Sequence, residues 1–305
     1  MNRRATIILT LLLGALAALA QDQPRQVLFE RISKYHHIEV YDEQGVRMLS
    51  FNGSCETRMS LADPLQGHFE YTEYFQMPFI WNPDIKTVLM AGLGGGSAQR
   101  SFQHYYTNIT VDTVEIDPVV VEVAEKFFHL TPSPTLRLHT NDARQFLRHS
   151  TTTYDLILMD AYATTRYGSS IPPHLVTREF FQLANGHLGS NGVLCYNVIG
   201  QIVGSRDQFI AAIYRTLKQV FPQVYLFPAE ETQNVVFLAT KSPEKWTYSQ
   251  AQLTGNTICL LSRLDPLRRC YRLPKGSGHV AQQFADHVLT GSGFTLDIRL
   301  GGCDP

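Results

Sequence analysis

Apolar runs and helical spacings alternate along most of the chain, and the alternation predicts its elements. Thr87-Val-Leu-Met-Ala91 is a short continuous apolar run, the pattern of a parallel strand covered on both faces. It runs into Gly92-Leu-Gly-Gly-Gly96, a turn flexible enough to approach a ligand closely. Ser97 is placed to cap the helix that follows, through Tyr106. Thr110–Ile116 is expected as a second strand and Pro118–Phe128 as a second helix, with Pro118 in its first turn. Leu136–His139 and Tyr154–Met159 read as further strands, with a short helix from Ala143 to Arg148 between them. A polar loop, Ala161 to Ser170, precedes a helix from Thr177 to Leu188 capped by Thr177. Gly192–Val198 reads as a fifth strand, Ser205–Phe221 as a long helix, and Val224–Phe227 with Val235–Ala239 as a late hairpin. Strands alternating with helices predict an α/β fold, a doubly wound, Rossmann-like sheet.

The segment before this repeat has a different period. Ile38–Tyr41 and Arg47–Phe51 flank Asp42-Glu-Gln-Gly45, which predicts a β-hairpin, and Asn52-Gly53 signals a further turn. His68–Met77 is expected as an aromatic-bearing helix. The implied organisation is a β module over 21–82, an α/β domain over 83–245 and a C-terminal extension over 246–305.

Residues 1–20 read as a targeting segment. Arg3 and Arg4 precede an apolar run, Ala5 to Ala17, and Ala18-Leu-Ala20 has the small-x-small form of a signal-peptidase site. The run is short for a membrane span, which needs about 20 residues. Export through a cleaved signal peptide is the expectation, with an uncleaved anchor or a cytoplasmic location as the alternatives.

Composition narrows the class. The chain of 305 residues is 44% hydrophobic and 17% charged, ordinary globular material, with a formal net charge of −1. That balance excludes a strongly basic nucleic-acid surface. Cys55, Cys195, Cys259, Cys270 and Cys303 are scattered, with no C-x-x-C and no Cys/His cluster at zinc-ligand spacing, so no metal is expected. Cys195 falls in an apolar strand and is expected to be a buried thiol. Pairing among the C-terminal cysteines is left open.

The candidate site follows from topology. In doubly wound sheets ligands bind beyond the carboxyl ends of the strands. Gly92–Gly96, Glu115, Asp142 and Asp160 all fall at such ends. Glu115 lies 21 residues after Gly94, close to the ~20-residue spacing at which an acid grips ribose hydroxyls. Any one of these acids alone is more often a cap or loop residue; their convergence points to a nucleoside site.

The chain resembles the spermidine synthase (polyamine aminopropyltransferase) family over roughly Ser33 to Thr240. The markers are Ser33-Lys-Tyr-His36, Tyr71-Thr-Glu73, Gly92-Leu-Gly-Gly-Gly-Ser97, Val114-Glu-Ile-Asp117, Asn141-Asp-Ala143, Asp155-Leu-Ile-Leu-Met-Asp160 and Ile171-Pro-Pro-His-Leu-Val-Thr-Arg-Glu-Phe-Phe181. The resemblance implies a methyltransferase-like sheet behind an N-terminal β module. It also implies decarboxylated S-adenosylmethionine as co-substrate, a small amine or polyamine acceptor, and a homodimer as one arrangement. Glu115 resembles the family's ribose-binding acid and Asp142 its adenine-side acid, beside Ala143. Tyr35 and Tyr71 resemble tyrosines near the cofactor and polyamine.

The departures are as informative. Ser97 stands where the family's turn ends in an Asp that holds the aminopropyl ammonium. Asp160-Ala-Tyr-Ala163 keeps the first acid of the family's Asp-Ser-Ser-Asp loop and loses the second at Ala163. His36 replaces a Gln, and Thr72 replaces a His. The nucleoside half is kept and the amine half rebuilt. An acceptor amine has an unperturbed pKa near ~10.4 and must lose a proton before it attacks. Asp160 and Tyr71, with Tyr162 or His174 as substitutes, are the candidates for acid/base work. Three readings follow: an aminopropyltransferase, a methyltransferase using S-adenosylmethionine at the same nucleoside site, and a non-catalytic adenosyl-nucleoside-binding protein.

Overall fold

The computed structural model describes residues 24–165, 168–200, 207–229 and 232–246. The expected signal segment 1–20, nearly all of the extension 246–305, and Cys259, Cys270 and Cys303 lie outside the described residues. Among those described, no helix is long and apolar enough to cross a membrane.

Four strands, β1 (Gln26–Ile32), β2 (His37–Glu43), β3 (Val46–Phe51) and β4 (Ser54–Ser60), form an antiparallel sheet in chain order. Left-handed backbone at Gln44 and Gly45, and again at Asn52 and Gly53, turns β2 into β3 and β3 into β4. These are the two-residue turns whose twist matches a hairpin. The predicted hairpin is therefore the middle of a larger sheet, because β1 and β4 carry mixed polar sequences without clean alternation.

A 3-10 helix, Glu70–Gln76, follows and leads into α1 (Pro78–Trp81). The expected regular helix over 68–77 is thus a tighter winding. Tyr74, Phe75 and Gln76 are buried consecutively, which a one-sided α-helical stripe does not allow, and no side chain caps its start.

The main body begins with β5 (Thr87–Ala91), α2 (Ser97–Tyr105), β6 (Thr110–Glu115), α3 (Pro118–Phe127), β7 (Leu136–Thr140), α4 (Ala143–His149) and β8 (Tyr154–Met159). The loop expected after β8 forms a small hairpin, β9 (Ala163–Thr165) with β10 (Gly168–Ser170). Then come α5 (Arg178–Gly186), β11 (Leu188–Ile199), α6 (Asp207–Lys218), β12 (Gln223–Pro228) and β13 (Asn234–Thr240). The seven-stranded sheet runs β12-β13-β11-β8-β5-β6-β7. Neighbours from β11 to β7 are parallel, and β13 is antiparallel to both its neighbours. The order reverses between β5 and β8, which creates a crevice at their carboxyl ends.

Alternation within β5 explains the layering. Val88 and Met90 join one apolar cluster, and Leu89 and Ala91 join the other, on the opposite face. The first cluster also holds Ile38, Val40, Leu49 and Met59 of the small sheet and Val120 and Val123 of α3, so the two sheets share a core. Cys195 is fully buried, as expected.

Three boundaries differ from expectation. Gly96, in left-handed backbone, is the N-cap of α2, so Ser97 is the first helical residue and its side chain caps nothing. Helix α5 stops at Gly186, and β11 starts early at Leu188, with an irregularity before Val193 where Gly189–Gly192 leave the ladder. Asp142 and Thr177 do cap their helices, accepting the amides of Gln145 and Phe180.

Asp117 joins the modules. It is fully buried, its Oδ1 accepts the Val119 amide at 2.9 Å as the N-cap of α3, and its Oδ2 accepts the Ser33 hydroxyl. Losing a cap costs about 1 kcal/mol and losing a bond to a buried charge ~1.5–3 kcal/mol. Asp117→Ala is therefore expected to lower unfolding free energy by about 2–4 kcal/mol in urea. A loss below ~0.5 kcal/mol, the size of a neutral surface change, would show that this bridge does not hold the modules together.

Candidate functional site

The site starts from the backbone at Gly92. Its φ is 95°, and a Cβ there would lie 2.1 Å from the carbonyl oxygen of Asp160. Its amide donates to Val114 O at 2.9 Å, and the Asp160 amide donates to Ala91 O at 2.8 Å. Only a residue without a side chain fits between these strand ends. Gly92 and Gly94 line the cleft that opens here, while Gly95 and Gly96 face Phe128 and Leu130 as packing residues. The Gly95 amide donates to Thr57 Oγ1 at 2.9 Å, which fastens β4 to the turn. The cleft encloses about 1130 Å³, part of it open to solvent.

Beyond β6 and β7 lies the ledge expected for a nucleoside. Glu115 Oε2 accepts the Leu93 amide at 3.1 Å, and Oε1 accepts the Asp117 amide at 2.9 Å. Burial pushes its carboxyl up to about 7, although those two amides pull the other way. Asp142 spends Oδ1 on the Gln145 amide at 2.9 Å and sets Oδ2 2.8 Å from His174 Nε2. Asn141, Ala143 and the exposed apolar side chain of Ile116 complete this wall.

Beyond β8 the cleft is acidic and hydroxyl-lined. Asp160 Oδ1 accepts Asn197 Nδ2 at 2.8 Å, and Oδ2 lies 3.4 Å from the Tyr71 hydroxyl that donates to it. Burial pushes Asp160 up to about 6; the charge of Glu56 adds to this, and the bonds from Asn197 and Tyr71 oppose it. Tyr71 is raised well above the usual phenol range by burial and then by Asp160.

The structure sorts the remaining candidates. Ser97 lines the cleft, and its Oγ accepts Arg100 Nη2 at 3.3 Å. Tyr162 lines it too, but its hydroxyl donates to Asn197 O at 2.8 Å and accepts the Ile199 amide at 3.0 Å. That phenol is a strut, not a free acid. His174 is paired with Asp142 beyond β7, and not with Asp160. Tyr35 is not among the lining residues; its neighbour His36 is. Ala163 is exposed on β9 and does not line the cleft, whereas Thr164 does.

Glu56 is the residue that sequence reasoning missed. It lines the cleft from β4, and its Oε1 accepts the hydroxyls of Thr164 and Ser169 at 3.1 Å each. Burial raises its carboxyl. An acid within the half-buried run Ser54–Ser60 was the available signal, but it needs the sheet's docking to become legible. Among the described residues no group of three or more His, Cys, Asp or Glu is placed to hold a metal ion.

The raised acids have a consequence for stability. A carboxyl whose folded pKa lies above its unfolded value binds more protons in the folded state, so stability falls as pH rises between the two values. Glu115 and Asp160, at about 7 and about 6, place that window between the ordinary carboxylate range and about pH 7. The ligand-free protein is expected to be more stable at pH 5.5 than at pH 8, and Glu115→Gln to flatten the slope. Thermal unfolding across that range checks this; stability that climbs with pH would contradict the desolvated environment of both acids.

Residues 68–242 match the spermine/spermidine synthase domain. The polyamine aminopropyltransferase of Vibrio vulnificus is 33% identical over 251 residues, 79% of this chain and 79% of that protein. In fold the chain is similar to the spermidine synthase of Thermotoga maritima, with a TM-score of 0.58, 21% identity and coverage of 72% of this chain and 74% of that one. It is also similar to human methyltransferase-like protein 13 in complex with SAH, with a TM-score of 0.56, 25% identity and coverage of 68% and 94%. The Glu115 ledge, the Gly92 turn and an acid-lined opening beyond β8 accompany these matches, and the chain belongs to the spermine/spermidine synthase family.

Proposed function

We propose that the chain transfers a 3-aminopropyl group from decarboxylated S-adenosylmethionine to a small amine such as putrescine, releasing methylthioadenosine. The observation that carries this is the pairing of two unlike walls across Gly92. One presents a carboxylate, Glu115, beside an apolar surface. The other presents Asp160, Tyr71 and Glu56 to a cation.

Each wall has a task. The ribose hydroxyls donate to Glu115, which requires its ionised form. Asp160, fixed by Asn197 and Tyr71, accepts from the ammonium or amine of the acceptor. Desolvated carboxylates attract a sulfonium and an ammonium more strongly than exposed ones do, because the local dielectric is low. The attack forms a C–N bond as the C–S bond breaks, and the sulfur keeps the electron pair. Glu56 supplies a third carboxylate where Ser97 and Ala163 do not.

A second reading has its own support. Ser97 sits at the first turn of α2, with the buried Arg100 guanidinium bonded behind it. A neutral hydroxyl, a helix N-terminus and a guanidinium suit the carboxylate of S-adenosylmethionine. That donor would make the chain a methyltransferase. Calorimetry with the two donors separates the readings: aminopropyl transfer expects decarboxylated S-adenosylmethionine to bind at least tenfold more tightly, and the reverse order favours methyl transfer. Binding of methylthioadenosine with no turnover of either donor would favour a non-catalytic nucleoside-binding protein. Export is proposed on the sequence alone, from Arg3, Arg4 and Ala18-Leu-Ala20; mass spectrometry of the N-terminus is expected to find Gln21 first.

Two substitutions test the walls separately. Glu115→Gln replaces a charged acceptor whose hydrogen bonds are worth ~1.5–3 kcal/mol, so methylthioadenosine affinity should fall about tenfold or more. Wild-type affinity should rise from pH 6 to pH 8, because the ligand favours the ionised carboxylate, and the Gln variant should show no such rise. Asp160→Asn should leave that affinity within about threefold and slow methylthioadenosine release from decarboxylated S-adenosylmethionine and putrescine by ~10²-fold or more, the scale of a positioned proton acceptor or amine anchor. Equal turnover in the Asn variant would remove Asp160 from the reaction.

A further inference from the structure

Asp142 and His174 close the outer end of the cleft, and no step of the proposed transfer uses them. Asp142 stands just beyond β7 as the N-cap of α4, where its Oδ1 accepts the Gln145 amide at 2.9 Å. His174 stands on a 3-10 turn, Pro173–Leu175, that follows β10. Its Nε2 lies 2.8 Å from Asp142 Oδ2. Two further bonds hold that turn in place. Arg144 Nη1, at the start of α4, donates to His174 O at 2.9 Å, and the Tyr196 hydroxyl donates to Leu175 O at 3.1 Å. Both members of the pair line the cleft and both reach solvent: 24% of the Asp142 side chain and 44% of the His174 side chain are exposed.

The pairing fixes a direction. The terminal torsion of an aspartate is broad, so one bond at Oδ1 leaves Oδ2 free to swing. The second bond, at Oδ2, fixes the plane. A carboxylate offers acceptors only, so the proton of this bond is on Nε2, and each oxygen keeps acceptor capacity for a further donor. The pair therefore presents the cleft with a fixed acceptor. Its place relative to Glu115 follows from the sheet. Strands β6 and β7 are neighbours, about 4.8 Å apart, with Glu115 opposite Thr140. The Asn141 amide donates to Glu115 O at 3.0 Å. A ligand whose ribose meets Glu115 carries its base one strand outward, toward Asp142. Ile116, Ala143, Pro172 and Leu175 make the lining there apolar around Asn141 and the pair. A flat heteroaromatic ring with a donor on its edge suits such a slot.

We propose that His174 is a positioning residue that makes the site select an aminopurine over an oxopurine, a role that rests on the reading that an adenosyl group occupies this cleft. The amino group of adenine donates to the fixed Asp142 carboxylate. Hypoxanthine puts a carbonyl oxygen, an acceptor, where that amino group stands, and its ring N–H lies to one side. A fixed carboxylate meets the carbonyl and repels it. A carboxylate free to swing reaches the ring N–H and tolerates the oxo base. His174 thus acts on selectivity through the angle of Asp142, by the bond at Oδ2. The argument holds for either adenosyl donor and does not depend on how the amine is recognised. It gives His174 a task at the base, where the sequence suggested one at the amine.

The test titrates methylthioadenosine and its deaminated analogue methylthioinosine calorimetrically into wild type, His174→Gln and His174→Ala. Wild type is expected to prefer methylthioadenosine by about 100-fold or more, because a site built to accept from a ligand donor rejects the analogue that lacks it. His174→Ala should cut that preference by about tenfold or more, the scale of one bond to a charged group. His174→Gln, whose amide nitrogen stands in for Nε2, should keep the preference within about threefold of wild type, a rescue that a residue merely packing the turn would not show. Nitrogen NMR of wild type gives a readout that does not depend on how the variants fold. The His174 Nε2 resonance should shift when methylthioadenosine binds, because Asp142 then takes a second donor. A resonance that stays in place in that complex overturns the proposal. So does a His174→Ala preference within about threefold of wild type, or wild type that binds both nucleosides alike. Wild type that binds neither overturns the adenosyl reading and this role with it.

Discussion

The site depends on the contact between the backbone of Gly92 and that of Asp160. The 2.1 Å that would separate a Cβ from the Asp160 carbonyl leaves no room for any side chain. Because β5 and β8 end pressed together, the carboxylates of Glu115 and Asp160 face one opening from opposite sides. The sheet order makes this the switch point, where β6 leaves on one side of β5 and β8 on the other. A larger residue at 92 would separate the strand ends and therefore the two walls. The glycine thus sets the position of both walls at once, without contributing a side chain to either.

That closeness has an electrostatic price. Glu115, Asp160 and Glu56 are drawn out of water, and each titrates above the usual carboxylate range, with burial as the leading cause. The protein relieves the strain only in part, with two backbone amides on Glu115, an amide and a phenol on Asp160, and two hydroxyls on Glu56. A folded state that carries under-compensated negative charge in a cleft is less stable than it would be without it. On the proposed function, the arrangement becomes favourable when a sulfonium and an ammonium enter. Affinity for cations and loss of ligand-free stability have the same origin, which is how functional sites depart from the rules that stabilise cores.

The legible part of this site lies where pattern and position coincide. Glu115 and Asp160 end short apolar strands, and Gly92 follows one, so the doubly wound reading put all three at the strand ends where the cleft opens. Ser97 was misplaced as a cap because the left-handed backbone at Gly96 starts the helix one residue earlier than a serine-cap rule assumes. Asp142 was found at the right strand end, but its pairing with His174 needed the loop after β10, which no local pattern specifies. Glu56 was beyond reach for a stronger reason. It belongs to a separate sheet whose docking is set by Thr57 on Gly95 and Ser33 on Asp117, contacts between residues 38 and 84 positions apart. Periodicity reports which face of a strand is buried, and it does not report which distant cleft the other face meets. The same limit applies to Ala163, which stands in the expected loop but faces solvent once that loop folds into β9.

This division separates the two walls of the cleft in the chain. Gly92, Gly94, Glu115 and Asp142 are all carried by the strands and turns of the large sheet. Glu56, His36 and Tyr71 come from the module that precedes it, and only Asp160 belongs to the large sheet and faces them. A change on β4 or in the β1–β2 turn therefore alters one wall of the cleft and leaves the wall of Glu115 and Asp142 standing, provided Thr57 and Ser33 keep their bonds. Those two bonds limit the independence. Thr57 adjoins Glu56, and Ser33 fixes the turn that carries His36, so the residues that dock the module are neighbours of residues that line the cleft. The lining of the cleft is free to change in chemistry, through the side chains at 36 and 56, but much less in geometry, because moving those side chains would loosen the glycine turn on which the cleft is built.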